Sequence, residues 1–399
     1  MLTENYENII NELVDSCEWE TFKFSDLVEN INEKVNPKTT DLDKYIGLEH
    51  LDSGSLHIRR FGDTSALDSQ KLKIYKGDTI FAKRNAYLRR ASVASFDAVA
   101  SAHSLVLRPN KNKIIPEFFS FFMLSDYLWD KAIEISVGSL SPTINWKVLA
   151  KIEFVLPKLE FQDKLVDVLR CVDDASEASL ALNEALKTLM HSKFKEMLAE
   201  SKGSKKLSVK DLLLDGPKNG FSPKTNGEQR GSRTVSISSI RDGKFVISGN
   251  IKYAEVEPEV TAKFDVKSGD IFVVRGNGNR DLCGRAGIAE KDYEDLFYPD
   301  LLIRLRFDPE IILPEFAVIL WNSMEFHSKL LRSAKSTNGI WKINGDDIKK
   351  HKLVVPQMNV QRDIVNEQNN LEEVLVASNL SLASTQRLSN SIVNRIFRV

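Results

Sequence analysis

The chain is 399 residues long and carries 55 basic against 56 acidic residues, a formal net charge of −1, which excludes a uniformly basic nucleic-acid coat and makes any DNA-binding surface local. With 42% hydrophobic and 28% charged residues the composition is that of a globular protein, and no apolar run approaches the roughly 18 residues of a membrane span. The opening MLTENYENIINELVDSCEWE is acidic where a leader would be basic and then apolar, so a cytoplasmic location is expected. Cys17, Cys171 and Cys283 are scattered, giving neither a CxxC pair nor a disulfide framework.

In chain order, a strand-rich region opens with WETFKFSDLVE (Trp19 to Glu29) and reaches a Gly-Asp turn at Gly77/Asp78. Between Asp78 and Asp97 the only charged residues are Lys83, Arg84, Arg89 and Arg90, with Asn85 and Tyr87 among them. IIPEFFSFFMLSDYLWDK (Ile114 to Lys131) predicts a helix with proline in its first turn. TINWKVLAKIEFVLPKLEFQDKLVDVL (Thr143 to Leu169) predicts a strand ending at Pro157 and then a long helix. Run from about Leu159 to Ala199, that helix would be roughly 60 Å long, too long for the surface of one small domain.

After the polar linker AESKGSKKLS (Ala199 to Ser208) the pattern returns. SKKLSVKDLLLD (Ser204 to Asp215) parallels the first strand region, and VKSGDIFVVRGNGNRDLCGRAGIAE (Val266 to Glu290) repeats the Gly-Asp turn at Gly269/Asp270, with Arg275, Asn277, Asn279 and Arg280 after it. ILPEFAVILWNSMEFHSK (Ile312 to Lys329) repeats the Pro-Glu-Phe helix start. Between Glu325 and Asp346 lie Lys329, Arg332, Lys335 and Lys342, interleaved with Ser336, Thr337, Asn338, Gly339 and Trp341. WKINGDDIKKHKLVVPQMNVQRDIVNEQ (Trp341 to Gln368) then aligns without a gap on the first copy, Ile144/Asn145 on Ile343/Asn344, Pro157 on Pro356 and Gln162 on Gln361. A period near 200 residues is a duplicated domain rather than a solenoid.

The fold class expected is therefore α+β, with domains at 1–157 and 201–356 and long helices at 158–200 and 357–399. Apolar and small positions spaced by threes and fours suggest a seam: Leu165, Val168, Val172, Ala175, Ser179, Leu182, Leu186 and Leu189 in the first helix, and Ile364, Leu371, Val374, Ser378, Thr385, Leu388 and Ile392 in the second, flanked by Leu375, Leu382 and Ile396. Connectivity makes such a pair an antiparallel coiled coil with pseudo-two-fold symmetry. Two basic and amide clusters in comparable loops then suggest a reader of two unlike DNA half-sites: Lys83, Arg84, Asn85, Tyr87, Arg89 and Arg90 in the first domain, and Arg275, Asn277, Asn279, Arg280, Lys335, Asn338 and Lys342 in the second.

The combination of LPKLEFQ (Leu156 to Gln162) and a long helix with its counterpart VPQMNVQ (Val355 to Gln361), each after a strand-rich domain with a Gly-Asp turn, resembles the specificity subunit of type I restriction-modification systems. The resemblance covers essentially the whole chain, with Asn359 standing where the first copy has Glu160. It implies a non-catalytic subunit in which two target-recognition domains grip an asymmetric, bipartite sequence in double-stranded DNA. The helices would space those domains and dock modification (methyltransferase) subunits and a restriction (nuclease/translocase) subunit. S-adenosylmethionine, ATP and Mg²⁺ would belong to those partners, with no cofactor or metal bound by this chain.

Motifs for chemistry fit the same reading. There is no Asn/Asp-Pro-Pro-aromatic tetrapeptide to hold a flipped adenine and no Walker lysine motif. GNGNRD (Gly276 to Asp281) breaks the dinucleotide fingerprint and reads as a turn. Pro299/Asp300 with Asp347-Ile348-Lys349 spells a PD…DxK pattern that could hold Mg²⁺, although Asp346 and Asp347 stand where carboxylates cap a helix. His103 and His327 lack metal-ligand partners at useful spacing. A coiled-coil scaffold without DNA readout is the alternative, and a PD…DxK nuclease a more distant one.

Overall fold

The computed structural model describes residues 10–397; the acidic opening stretch, from which a cytoplasmic location is expected, begins outside them. The chain divides into two compact units, residues 1–182 with 378–399, and residues 183–377. Each holds one strand-rich domain and a portion of both long helices. No described helix is long and apolar enough to cross a membrane.

In the first unit, strand Trp19–Lys23 pairs antiparallel with Glu153–Pro157, Trp19 opposite Pro157, so the two ends of the domain are neighbours. Between them, Val28–Ile31, Ser104–Pro109, Thr79–Ala82 and Ala91–Val93 form a four-stranded sheet in that order. A five-stranded sheet follows the order Lys34–Val35, Lys71–Ile74, Ala98–Ala100, Lys44–Ile46, Gly62–Asp63. Helix α1 (Pro116–Phe122) begins with proline at its first turn, where a missing N–H costs nothing, and Ser125 caps α2 (Asp126–Glu134) by accepting from the Leu128 N–H. A short helix α3 (Trp146–Leu149), capped by Asn145, precedes the closing strand. The core is aromatic: Phe81 stacks on Trp129 at 4.7 Å, and in the same core Phe154 meets Phe122 edge-on and Phe24 at a tilt.

The second unit repeats this plan. Lys205–Ser208 pairs with Lys352–Val355, and a six-stranded sheet carries Leu213–Asn219, Leu302–Phe307 and Ile271–Val274 beside one another. Here α5 (Pro314–Asn322) and α6 (Met324–Ser333, capped by Ser323) take the places of α1 and α2, and α7 (Gly345–Lys350, capped by Asn344) that of α3.

The repeated sequence marks have structural causes. Asp78 and Asp270 are buried, and each accepts a two-pronged grip from an arginine, Arg108 at 2.7 and 2.9 Å and Arg306 at 2.7 and 2.8 Å. Each carboxylate also accepts a backbone N–H three residues back, Tyr75 at 2.9 Å and Lys267 at 2.8 Å. The preceding Gly77 and Gly269 sit at φ 94° and 81°, which glycine adopts without strain. Gln162 and Gln361 are both fully buried. Each accepts the backbone N–H of the residue that caps the Pro-Glu-Phe helix, Ile115 and Leu313, at 2.8 Å, and donates to the carbonyl of the repeat proline, Pro157 and Pro356, at 2.9 Å. One side chain thus joins strand end, long helix and Pro-Glu-Phe helix.

The long helices are α4 (Leu159–Glu200) and α8 (Met358–Ile396). In the first unit, Leu165, Val166 and Leu169 of α4 share one core with Ile392, Val393 and Ile396 from the end of α8, and Phe397 reaches Phe118 at 4.9 Å. In the second, Phe194 near the end of α4 shares a core with Ile364 and Val365 from the start of α8, and Gln368 Nε2 donates to the Met190 carbonyl at 2.9 Å. Start meets end in each unit, which is antiparallel pairing.

The seam itself needs correction. Leu165, Leu186, Ile364 and Ile392 are buried and Val172, Leu371 and Leu388 half-buried, but Leu182 and Leu189 are 49% and 44% exposed. Their places are taken by Ser176 and Asn183, both buried, and by half-buried Met190. Val374 is likewise exposed, while Leu382 is buried. A heptad template drifts about 20° per repeat on a straight helix, enough to move the stripe by one residue.

At repeat-equivalent positions each domain is also pinned to its helix by an ion pair. His57 Nε2 meets Asp173 Oδ2 at 2.8 Å on α4, and Lys244 Nζ meets Glu372 Oε1 at 2.8 Å on α8. His57 also faces Glu177 at 3.8 Å and Arg59, itself paired with Glu177 and with Asp52. The hydrogen bond to Asp173 lifts the His57 pKa above its ordinary 6.5 against the opposing effect of burial. A raised folded pKa means that this contact stabilises fully below about pH 6.5 and is lost as pH rises through the raised value. An NMR titration of the His57 ring should therefore show a midpoint above 6.5 that falls in Asp173→Asn. A midpoint indifferent to that substitution would contradict the pairing.

Candidate nucleic-acid interface

In the second domain most of the candidate residues gather on one small sheet. Lys335–Thr337 and Ile340–Lys342 form a hairpin turned by Asn338 and Gly339, whose φ of 50° and 76° match the tight turn that asparagine-glycine favours. The second strand pairs with Gly276–Asn277, Gly276 opposite Lys342 and Asn277 opposite Trp341. Lys335, Asn338 and Lys342 are exposed, and the Arg280 guanidinium lies over the Trp341 ring at 4.8 Å. Asn277 and Asn279 shape the adjoining turn: Asn277 Oδ1 accepts the Asn279 N–H at 2.8 Å, and Asn279 Oδ1 accepts the Asp281 N–H at 2.9 Å. Arg275 points elsewhere, donating to the Asp300 carbonyl at 3.2 Å with the Asp300 carboxylate at 3.6 Å.

The first domain uses the same backbone frame with a different loop. The Ile144 N–H donates to the Lys83 carbonyl at 2.8 Å, just as the Ile343 N–H donates to that of Arg275 at 2.9 Å. Lys83, Arg84 and Asn85 thus occupy the places of Arg275, Gly276 and Asn277. Facing them is the segment 136–143, closed by paired backbone bonds between Val137 and Thr143 at 3.1 and 2.9 Å. Its tip puts Leu140 96% and Val137 77% into solvent. Ser141 Oγ donates to Asn85 Oδ1 at 2.8 Å and accepts from Arg84 Nε at 2.7 Å, holding both side chains in place. This uncharged segment is absent from the sequence candidates, which stand out by basic charge. Its position ahead of Ile144-Asn145, as 335–342 stands ahead of Ile343-Asn344, is the signal that could have found it.

The remaining first-domain candidates divide. Tyr87 is 58% exposed. Lys83 is half-buried, and burial pushes its pKa down. Arg89 is clasped by Asp126 and Asp130 of α2, and Arg90 donates to the Leu48 carbonyl at 2.6 Å. Both guanidiniums are therefore engaged by the protein's own acceptors.

The acidic pattern considered for a nuclease is engaged structurally. Asp300 accepts from Ser222 Oγ and pairs with Arg275. The Asp347 N–H donates to its cap Asn344 at 2.8 Å, and Asp346 and Asp347 pair with Lys349 and Lys350 along one turn. His327 is buried on the Cys283 carbonyl at 2.8 Å, and burial lowers its pKa. Among the described residues no group of three or more His, Cys, Asp or Glu could hold a metal ion.

Comparison with known proteins agrees with this architecture. Residues 17–188 match the family model for the type I restriction modification DNA specificity domain. The chain is 27% identical over 324 residues to the type I restriction enzyme EcoKI specificity subunit of Escherichia coli (strain K12), covering 76% of this chain and 69% of that relative. It is 24% identical over 338 residues to the StySPI specificity subunit of Salmonella potsdam, covering 79% and 71%. In fold it is similar to a solved chain of a type I R-M system, with a TM-score of 0.56 at 17% identity over 95% of this chain and 97% of the other. It is also similar to the type I restriction-modification S subunit from M. genitalium, with a TM-score of 0.52 at 12% identity over 96% and 97%. Two copies of one domain and helices that run antiparallel within each unit agree with these likenesses: the chain is similar to the specificity subunits of type I restriction-modification systems, and its residues 17–188 match the model of their DNA specificity domain.

Proposed function

We propose that this chain gives a type I restriction-modification complex its DNA sequence specificity through two unlike loop surfaces, 83–87 with 136–143 in the first domain and 276–280 with 335–342 in the second. The observation that carries this reading is the 335–342 hairpin. A two-stranded ribbon is of a width the major groove admits, and its exposed tip and edges carry asparagine and lysine, the first able to grip adenine and the second guanine or phosphate. The first domain presents a different, largely uncharged loop in the same frame, so the two half-sites differ and the target is asymmetric and bipartite.

The role is non-catalytic. Methylation and cleavage belong to modification and restriction subunits, which would bring S-adenosylmethionine, ATP and Mg²⁺ and dock on the exposed faces of the long helices, among them the face of α4 where Glu184, Lys187 and Lys195 stand. The test is binding of the full chain to mixed-sequence duplex by fluorescence anisotropy across a salt series. A loop-directed reader loses affinity with a negative slope of log K against log salt, about 0.9 per phosphate contacted. A scaffold whose loops read nothing shows no such binding.

A further inference from the structure

The first domain contains an open cleft of about 880 Å³ between the strands 28–31, 34–35, 71–74 and 104–109 and the segment 137–147. Lys34, Lys71, Lys83 and Lys147 line it, and none of its lining residues is acidic. Among the described residues none of these four ammonium groups has a carboxylate within ion-pair distance, in a chain of net charge −1. Such clustering raises mutual repulsion and favours a bound anion. A second observation points the same way. Ser104 lines the cleft, is 1% exposed, and its Oγ has no hydrogen-bond partner, a state that costs free energy unless something supplies the bond.

The second domain differs at the matching positions. Leu302, which faces Val274 as Ser104 faces Ala82, is a buried hydrocarbon. Gly345 stands where the first domain has Trp146, and a Cβ there would meet Pro217 Cβ at 3.1 Å, so strand and helix close on each other. At these two positions the second domain is filled where the first is open.

Resting on the DNA-reading role above, we propose that this cleft is a phosphodiester-binding channel that holds the backbone of one DNA strand beside the first half-site. Its lip carries Val137 and Thr143 of the loop 136–143, so a strand lying in it passes directly under the proposed base-reading loop. Lys34, Lys71 and Lys147 neutralise phosphates, and Ser104 Oγ supplies a neutral hydrogen bond deeper in the cleft. Contacts of this kind fix register and affinity without reading sequence.

The experiment uses the full chain and the salt series of duplex binding. The triple variant Lys34→Gln, Lys71→Gln, Lys147→Gln is compared with a charge-matched control at exposed lysines that line no part of the cleft, Lys164→Gln, Lys202→Gln, Lys210→Gln. The cleft triple should flatten the slope by about 2 to 3, from about 0.9 per phosphate contact, and weaken all duplexes alike while the control leaves the slope unchanged. If the unaltered chain binds with a salt slope that the cleft triple does not change, the channel is wrong and the reading role stands. If the triple changes base preference at one position, the cleft reads a base and the proposal fails. If the unaltered chain shows no salt-dependent binding, the reading role fails and the channel with it.

Discussion

Gln361→Ala is expected to destabilise the second unit by about 2–5 kcal/mol, because the buried side chain leaves two or three backbone groups without partners at roughly 1–3 kcal/mol each. Gln361 is fully buried, accepts the Leu313 N–H at 2.8 Å, and donates to Pro356 at 2.9 Å and Ile311 at 3.1 Å. Truncation leaves the Leu313 N–H facing a cavity, and with it the start of α5 and the root of α8 lose their common anchor. Gln361→Glu should be no rescue, since a carboxylate can accept from Leu313 but cannot donate to the proline carbonyl and would be charged in a dry site. Urea denaturation checks this: the midpoint should fall with little change in m. A midpoint unmoved by the alanine would show that the glutamine is incidental to the joint. Gln162→Ala should act in the same way on the first unit, through the Ile115 N–H.

The second large effect concerns discrimination rather than stability. Alanine at Asn338, Lys342 and Asn277 removes the side chains that the hairpin and its neighbouring strand carry. A good two-pronged grip on a base is worth about 1–3 kcal/mol, so removing each one should cost on the order of ten- to a hundredfold in preference for the proper base pair. The effect should be confined to one half of the target. Competition binding with duplexes altered one base pair at a time reads this out. Arg89→Ala and Arg90→Ala should act differently, since one guanidinium is held by Asp126 and Asp130 and the other by the Leu48 carbonyl. Those changes should move stability and leave base preference in place; a specificity change from Arg89→Ala with intact stability would return that residue to the reading surface.

The contrast between these arginines and the hairpin shows what the amino-acid order reveals. The duplication, the Pro-Glu-Phe helix starts, the strand-proline-glutamine joint and the two long helices are local patterns, and all are legible. The partners of Arg89 lie 37 and 41 residues away on α2, so a basic run that resembles a DNA contact cannot be told locally from an internal clasp. The segment 136–143 escapes notice for the opposite reason: it has no charge, and only its position in the repeat gives it meaning. In the helix seam, leucine at 182 and 189 matches the heptad while Ser176 and Asn183 are turned inward. The fold places residues by helix angle before hydrophobicity, and small polar side chains are tolerated on a buried helix face when they find hydrogen bonds, as Ser176 does with the Val172 carbonyl at 3.0 Å.

The central claim is that one chain reads two independent half-sites with its two copies of one domain. Exchanging residues 1–157 for the corresponding segment of another specificity subunit, in cells carrying the whole system, and mapping genomic methylation tests it directly. One half of the methylated sequence should change to that of the donor while the other half is retained. Loss or alteration of both halves would contradict the account and indicate a single composite reading surface.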